Sequence, residues 1–348
     1  MNRFTQLGLI VLMLCAQLSA QQVGTKTKSI FDIPVADFSA RYRYIDTTAG
    51  AVTADDLQYR FTIRPMLNFE KTGTYLGSRV ESGSSIGSSW TDTGVGRNPG
   101  QWTINAKTFY IGQHIGSKAD VEVGAMDFEY GAATEASYAD FDSYTEGYRL
   151  RLHGLSGRAT PSKVVLHIGY VGDFNKVNAF GRMHRLGEVN YVQLLAEKEL
   201  TKRATASVQF NRLRGLNLVL AAAKLTFPDS WVINDARVET VVRTNDNATA
   251  GWVLTVTKTK NLLGRFNPGL CYSHIPTGVF LVGNQQALLN GDIYGLGKRL
   301  GWTTKYQVTK QFDISTLITR RLDTVPGFRW RAQIVGRYQF ASMLKGLP

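Results

Sequence analysis

The sequence predicts an all-β fold, a closed antiparallel transmembrane β-barrel of about sixteen strands, with roughly fourteen to eighteen possible. Three observations predict it: an export signal at the start of the chain, long runs in which apolar and polar residues alternate, and connections that alternate between short and long. No stretch of the mature chain has the roughly 18 consecutive apolar residues that a transmembrane helix needs. Any crossing of a membrane is therefore expected to use strands.

The first twenty residues have the pattern of a secretory signal peptide. Arg3 is their only charged residue, residues 7–14 form an apolar core interrupted by one glycine, and Leu18-Ser19-Ala20 is a small-residue cleavage site. We predict a signal peptide over 1–20, a short periplasmic N-terminal segment over 21–36, the barrel over 37–340 and a short C-terminal tail over 341–348.

The composition of the exported chain is basic. The formal net charge is +13, and +12 once Arg3 is removed with the signal peptide. Such a balance suits nucleic acid, an anionic membrane surface or anionic solutes, and export makes nucleic acid an unsuitable partner. Cys271 is the only cysteine after residue 20, so no intramolecular disulfide is possible. We expect Cys271 to be a small apolar residue that is buried or faces lipid.

Alternation with a period of two recurs along the chain. From Ala204 to Asn211 the residues Ala, Ala, Val and Phe alternate with Thr, Ser, Gln and Asn, and residues 57–64, 148–153 and 328–340 repeat the pattern. The runs are long, as transmembrane strands of roughly 9–11 residues require, and tryptophans lie near their ends. These features favour a membrane barrel over a soluble sandwich, whose strands are shorter.

The connections place the strands in a regular order. The predicted strands are 37–46, 56–66, 74–82, 103–114, 119–128, 145–155, 162–172, 187–199, 203–213, 217–226, 231–243, 250–259, 267–275, 300–309, 312–322 and 328–340. Short polar turns alternate with longer connections rich in Gly, Ser and Asn, the longest being 83–102, 129–144, 173–186 and 276–299. If both termini are periplasmic, every short turn is periplasmic and every long loop is extracellular. Loops 83–102 and 276–299 are candidates to fold inward and narrow the lumen.

A barrel of this size implies a pore. Lipid offers no hydrogen-bond partner to a peptide group, so a sheet that crosses it has to close on itself. About sixteen strands enclose a space too wide for side chains to fill, which leaves water inside. The polar face of each strand then lines a wet lumen, and the expected function is passage of small solutes without chemistry.

Ten basic residues lie opposite the apolar side chains of their strands. They are Arg41, Arg43, Arg60, Arg64, Arg149, Arg151, Lys305, Arg329, Arg331 and Arg337. An arginine that faces lipid near the midplane of a barrel costs about 2–4 kcal/mol, so we expect all ten in the lumen as solute-contacting residues. The lumenal acids expected to neutralise some of them are Glu146, Glu188, Glu239 and Asp313. Because basic residues outnumber acidic ones by 40 to 27, an excess remains and predicts a preference for anions.

Two segments resemble those of alginate-export-type porins. They are residues 40–44, Ala-Arg-Tyr-Arg-Tyr, and residues 147–152, Gly-Tyr-Arg-Leu-Arg-Leu, with the acidic-aromatic stretch 126–131 before the second. The resemblance implies a porin of the bacterial cell outer membrane, surrounded by outer-membrane lipid, whose basic lumen attracts an acidic saccharide. One departure is the tail after Phe340, since such barrels commonly finish on an aromatic residue.

No catalytic residue, metal site or cofactor is predicted. The histidines His114, His153, His167 and His184 are scattered over different strands and loops. Ser273 and His274 are adjacent, and adjacent residues of a strand point to opposite faces. Two alternatives stay open: a lipid-modifying outer-membrane enzyme on a barrel scaffold, and a secreted β-sandwich binding protein. Association of the chain into a homo-oligomer is possible under each of these readings.

Overall fold

Antiparallel hydrogen bonding joins each long strand to the next along the chain and joins the first strand to the last. The computed structural model describes residues 30–47, 50–134, 137, 139–157, 160–245, 249–258, 265–279, 296–324 and 327–344. The predicted signal peptide, over 1–20, lies outside these residues, as do most of 21–36 and most of loop 276–299.

The described residues contain seventeen strands. They are β1 (Phe31–Thr47), β2 (Val52–Phe69), β3 (Thr74–Glu81), β4 (Thr91–Gly96), β5 (Asn105–Ile115), β6 (Ala119–Asp127), β7 (Tyr144–His153), β8 (Lys163–Tyr170), β9 (Tyr191–Thr201), β10 (Ala204–Leu213), β11 (Leu216–Thr226), β12 (Asp235–Arg243), β13 (Thr249–Thr257), β14 (Phe266–Ile275), β15 (Gly297–Gln307), β16 (Phe312–Arg321) and β17 (Phe328–Gln339). A single helical turn, Ala341–Leu344, follows the last strand. No helix among the described residues is long and apolar enough to cross a membrane.

Sixteen of these strands form the closed barrel, which confirms the predicted fold class and strand number. Strand β4 is the exception, because it pairs only with β2 inside the loop that follows β3. The sequence does not indicate β4, which is short and contains two glycines without alternation. Strand β1 begins at Phe31 rather than at residue 37. The closed barrel overturns the alternative of a secreted β-sandwich.

Tight turns close one end of the barrel. Gly73, between β2 and β3, and Gly116, between β5 and β6, have φ values of +68° and +62°. Glycine adopts this left-handed conformation without a steric penalty, which explains its place in both turns. Long connections at the opposite end span residues 82–104, 128–143 and 171–190. The alternation of short and long connections is thus as predicted.

The burial of the strands is inverted relative to a soluble protein. Outward apolar side chains are exposed, such as Phe38 (45%), Leu194 (50%) and Ile334 (54%). Inward polar side chains such as Gln58 and Glu122 are buried. Exposed apolar side chains at every second position form the belt that acyl chains contact. The apolar faces therefore point outward, as the alternation predicts.

One part of the inner wall is apolar rather than wet. Near the extracellular end of β10 to β14, seven inward side chains are fully buried: Leu213, Leu218, Leu220, Val241, Val253, Cys271 and Ile275. They belong to one cluster with Phe128 and Ala139 of the loop between β6 and β7. The expectation of a lumen that is wet on every side is wrong here, because a loop packs against this wall. The same packing explains why the adjacent Leu194 and Leu195 interrupt the alternation of β9: Leu194 faces lipid and Leu195 is buried inside.

A second loop covers the outside of the barrel. Residues 171–190 contain a short 3-10 helix, Ala179–Arg185, and its Arg182 forms a fully buried ion pair with Glu146 of β7. The Tyr144 hydroxyl donates a hydrogen bond to the Val177 carbonyl at 2.6 Å, and the Phe109 and Phe180 rings lie 5.0 Å apart. Glu146 shares its strand face with the lipid-facing Tyr148, so its expected lumenal position is wrong.

We predict that Arg182→Gln frees this outer loop. Removing one partner of a buried ion pair costs about 3–5 kcal/mol, because the other charge stays buried alone. The expected result is faster cleavage by chymotrypsin after the exposed Phe180, measured on the folded barrel in detergent. The control is Arg185→Gln, whose side chain pairs with Asp173 and Glu188 in a more exposed position, where an ion pair stabilises little. Equal cleavage rates in the two variants would contradict the assignment.

Candidate functional site: a constriction in the lumen

The loop between β6 and β7 crosses the lumen. We call residues 128–143 the constriction loop. Its backbone is held first by Gln193 of β9, whose amide donates to the Glu129 carbonyl at 2.8 Å. Next, the amide of Ala132 donates to the hydroxyl of Ser207 on β10 at 2.9 Å. The loop thus leaves its own strands and follows the inner wall.

The farthest anchor of the constriction loop is Glu239 on β12. Its carboxylate accepts hydrogen bonds from the Thr134 amide at 3.0 Å and from the Thr134 hydroxyl at 2.6 Å. The hydroxyl of Ser137 donates a third hydrogen bond to the same carboxylate. Glu239 is inward-facing and buried, as a lumenal acid should be, but it binds the loop rather than a basic residue.

Arg79 of β3 fixes the returning half of the constriction loop. Its two terminal nitrogens donate to the carbonyls of Phe141 and Asp142 at 2.8 and 2.7 Å. The guanidinium is fully buried and also pairs with Asp127 at 3.1 Å and Glu81 at 3.5 Å. The planar fork of an arginine suits such paired acceptors, which makes this half of the loop rigid.

The carboxylate of Asp142 faces several cations. It accepts a hydrogen bond from the Ser89 amide at 3.0 Å and lies 3.8 Å from Arg60. Burial acts to raise the pKa of Asp142, but the charges of Arg60, Lys107 and Arg79 outweigh burial and hold the pKa below its ordinary value. Asp142 is therefore charged at neutral pH, and its charge is offset locally.

An open cavity of about 360 Å³ lies between the constriction loop and the wall formed by β1, β2 and β15 to β17. Six cationic side chains line it: Arg41, Arg43, Arg60, Lys305, Arg331 and Arg337. Three carboxylates also line it, those of Asp140, Asp142 and Asp313. The loop packs on the opposite wall, so among the described residues this cavity is open space on the cationic side of the lumen.

The cations of the cavity differ in their partners. Lys305 lies 3.3 Å from Asp313, and Arg337 lies 2.8 Å from Asp37. Arg41 donates to the side-chain carbonyl of Gln58 at 2.8 Å and lies 4.1 Å above the ring of Trp90. Within the part of the chain that the structure describes, no carboxylate oxygen lies within 4.0 Å of Arg41 or Arg43. Arg41 is buried against Gln58 and Trp90, whereas Arg43 is partly exposed to the cavity.

The structure places six of the ten predicted basic residues around the cavity and four elsewhere. The four others form close ion pairs: Arg64 with Asp127 at 2.9 Å, Arg149 with Glu122 at 2.5 Å, Arg151 with Glu129 at 2.5 Å, and Arg329 with Asp46 at 2.7 Å. Of the predicted lumenal acids, Asp313 pairs with Lys305, whereas Glu188 pairs with Arg185 in the outer loop. The part that any of these residues plays in solute passage stays a prediction.

Sequence reasoning missed the constriction loop and its anchor Arg79. Residues 128–143 contain no Lys or Arg and are rich in Ala and aromatic residues. This composition is unusual for an exposed loop and could have indicated that the loop is packed inside the barrel. Loop 83–102 contributes Gly87, Ser88 and Trp90 to the cavity wall, so its expected inward fold applies to that part alone. Farther along, Trp102 stacks on Tyr59, whose ring lies on the outer face of β2.

Comparison with known proteins shows the fold. No family model and no curated protein matches the chain. The OmpF protein of Salmonella typhi, solved in complex with daunomycin, matches with a TM-score of 0.57 and 14% identity over 89% of this chain and 97% of that one. A mutant of the porin of Rh. blastica matches with a TM-score of 0.52 and 14% identity, over 88% of this chain and 100% of that one. The outer membrane channel DcaP of Acinetobacter baumannii matches with a TM-score of 0.52 and 11% identity, over 92% of this chain and 100% of that one. The chain thus shares the closed antiparallel barrel fold of these bacterial outer-membrane porins.

We predict that Glu239→Ala loosens the constriction loop and exposes Cys271. The substitution removes three hydrogen bonds to a carboxylate, each worth about 1.5–3 kcal/mol, and Cys271 is buried in the cluster that the loop covers. The expected result is at least about tenfold faster alkylation of Cys271 by a maleimide. The matched control, Glu188→Ala, changes an acid of the outer loop and should leave the rate unchanged. An unchanged rate in Glu239→Ala would show that the loop does not cover this wall.

Proposed function

We propose that the protein is an outer-membrane channel that passes small solutes and prefers anions. The observation that carries the proposal is the lining of the cavity, where six cationic side chains face three carboxylates. Clustered Arg and Lys side chains in a pore favour anions over cations. The fold shared with outer-membrane porins supports the channel, and the charges of the wall support the preference.

The geometry suits solutes rather than folded macromolecules. A cavity of about 360 Å³ lies at the lower end of the range of sites for small molecules. Arg41 and Arg43 lie two residues apart on one face of β1, so both place positive charge on the same wall of the cavity. The acidic saccharide implied by the resemblance to alginate-export-type porins stays a prediction, and single uronate units are of suitable size.

The alternative of an outer-membrane enzyme lacks a supporting arrangement in the described residues. His114 and His153 both contact the carboxylate of Asp120, at 2.6 and 3.2 Å, as a base with an orienting acid would. An acyl-transfer enzyme also needs a nucleophile bonded to the imidazole, and no Ser, Thr or Cys side chain among the described residues bonds to either ring. We therefore favour passage without chemistry.

Outer-membrane lipid and further copies of the chain are the expected partners. On the outer face, the rings of Phe38, Tyr59 and Trp102 stack at centroid distances of 6.4 and 5.9 Å. Trp102 is 80% exposed at the end of this stack, and exposed aromatic groups of this kind are common at contacts between proteins. We include association into a homo-oligomer in the proposal. Trp102→Ser should lower the apparent mass of the detergent-solubilised protein by sedimentation, and an unchanged mass would remove this surface from the interface.

We predict that the double substitution Arg41→Ser with Arg43→Ser lowers the preference for anions. These two arginines have no carboxylate partner within ion-pair distance, so their loss leaves no buried acid unpaired. The measurement is the reversal potential of single channels in a planar bilayer across a KCl gradient. We expect the permeability ratio of chloride to potassium to fall by about half or more.

The matched control removes two arginines that lie outside the cavity. Arg265→Ser with Arg320→Ser removes the same two positive charges. Neither side chain lines the cavity: Arg265 donates to the Val308 carbonyl and Arg320 lies over the Trp330 ring. This control should keep the native ratio. A native channel that prefers potassium would refute the proposal, and an equal loss in the two double variants would show that overall charge, not the cavity, sets the preference.

A further inference from the structure

An aromatic ring is displayed inside the water-filled part of the lumen. Phe141 lies in the returning half of the constriction loop, lines the cavity and is 49% exposed. Its position rather than its exposure is informative, because the ring shares the cavity with six cationic side chains and can contact a solute bound to them. The ring of Tyr130 is its neighbour at a centroid distance of 4.4 Å.

The exposure of Phe141 is built into the loop. Arg79 clamps its carbonyl and the next one, as described above. The carboxylate of Asp140 accepts a hydrogen bond from the Asp142 amide at 2.8 Å, and the Asp142 carboxylate accepts one from the Ser89 amide. The two acids that flank Phe141 are thus fixed within the protein. The backbone between them is rigid, and the ring is held toward the cavity.

Cationic and apolar surfaces face each other across the same cavity. Arg43 lies on the wall with Arg41, and Arg41 covers a face of Trp90 at 4.1 Å. Val335 adds an aliphatic side chain beside them. A planar guanidinium binds a carboxylate through two parallel hydrogen bonds, while a phenyl ring attracts a flat apolar surface. A solute that carries a carboxylate and a flat apolar surface can therefore bind the cationic wall and the Phe141 ring at the same time.

We propose that the constriction retains carboxylates attached to a flat apolar body, with the carboxylate toward Arg43 and the body against Phe141. The proposal rests on the proposed channel function and adds the class of solute. Two sources share this chemistry: aromatic carboxylates, and uronates through the C–H face of the sugar ring. Inorganic phosphate and acetate lack the flat apolar body, so the Phe141 ring should add nothing to their binding.

The test is the block of chloride current through single channels in a planar bilayer. Benzoate, glucuronate, acetate and phosphate are added at equal concentrations, and the frequency and duration of the interruptions give an apparent dissociation constant for each. We expect benzoate or glucuronate to be retained about tenfold more tightly than acetate and phosphate. Tighter retention of benzoate would identify aromatic carboxylates as the solute class, and tighter retention of glucuronate would identify uronates. Equal retention of all four anions would overturn the proposal.

Variants of Phe141 locate the effect. Phe141→Ser should reduce the retention of the tighter carboxylate to that of acetate, and Phe141→Leu, which keeps the volume but not the flat ring, should reduce it in part. Phe180→Ser, which removes a Phe ring exposed on the outer loop, should behave like the native protein. Retention that survives both Phe141 variants would also overturn the proposal.

The reversal potential in KCl separates this proposal from the one it rests on. If the native protein conducts and prefers chloride but retains the four anions equally, only the solute class is wrong. If the native protein does not conduct, or prefers potassium, the channel function or its anion preference fails by itself. Since Phe141 carries no charge, its variants should keep the native reversal potential, which also verifies that they fold.

Discussion

The structure depends on one constraint: a peptide group that enters lipid has to bring its hydrogen-bond partner with it. The chain meets this constraint by pairing β1 with β17, which leaves no free edge in the membrane. Closure gives each strand one face toward lipid and one toward the lumen, so apolar side chains lie outside and polar ones inside. The cationic wall of the cavity, formed by β1, β2 and β15 to β17, is a consequence, because arginines at mid-strand are costly on the lipid face.

A second consequence of closure is that the lumen is too wide for strand side chains to fill. The constriction loop fills part of it by packing on the apolar inner wall of β10 to β14, and Glu239 and Arg79 hold its two halves. The cavity of about 360 Å³ lies on the other side, where Arg41 and Arg43 line it. The loop decides which side of the lumen it covers, and the wall opposite carries the cationic side chains of the cavity. The displayed ring of Phe141 adds to the apolar surface that Trp90 and Val335 give the cavity.

The fold was predictable because a strand encodes its two faces locally, at every second residue. The inward direction of Arg41 and Arg43 was predictable for the same reason, together with the cost of charge in lipid. Their difference from Arg149, which is neutralised by its register partner Glu122 on β6, was not, because it depends on the exact register of neighbouring strands. Nor was the contact of Thr134 with Glu239, which lie 105 residues apart in the chain. Contacts of that separation leave no periodic signal in the sequence.

The most direct test compares neighbouring positions on β17. Gln333 lines the cavity, whereas Ile334 is exposed on the outer face. In a Cys271→Ser background, Gln333→Cys and Ile334→Cys are treated in a planar bilayer with a water-soluble anionic thiol reagent. The account predicts that Gln333→Cys reacts and its conductance falls, while Ile334→Cys reacts only with a lipid-soluble maleimide. Reaction of Ile334→Cys with the water-soluble reagent, with Gln333→Cys protected, would show that the faces are reversed and that no passage follows the basic wall.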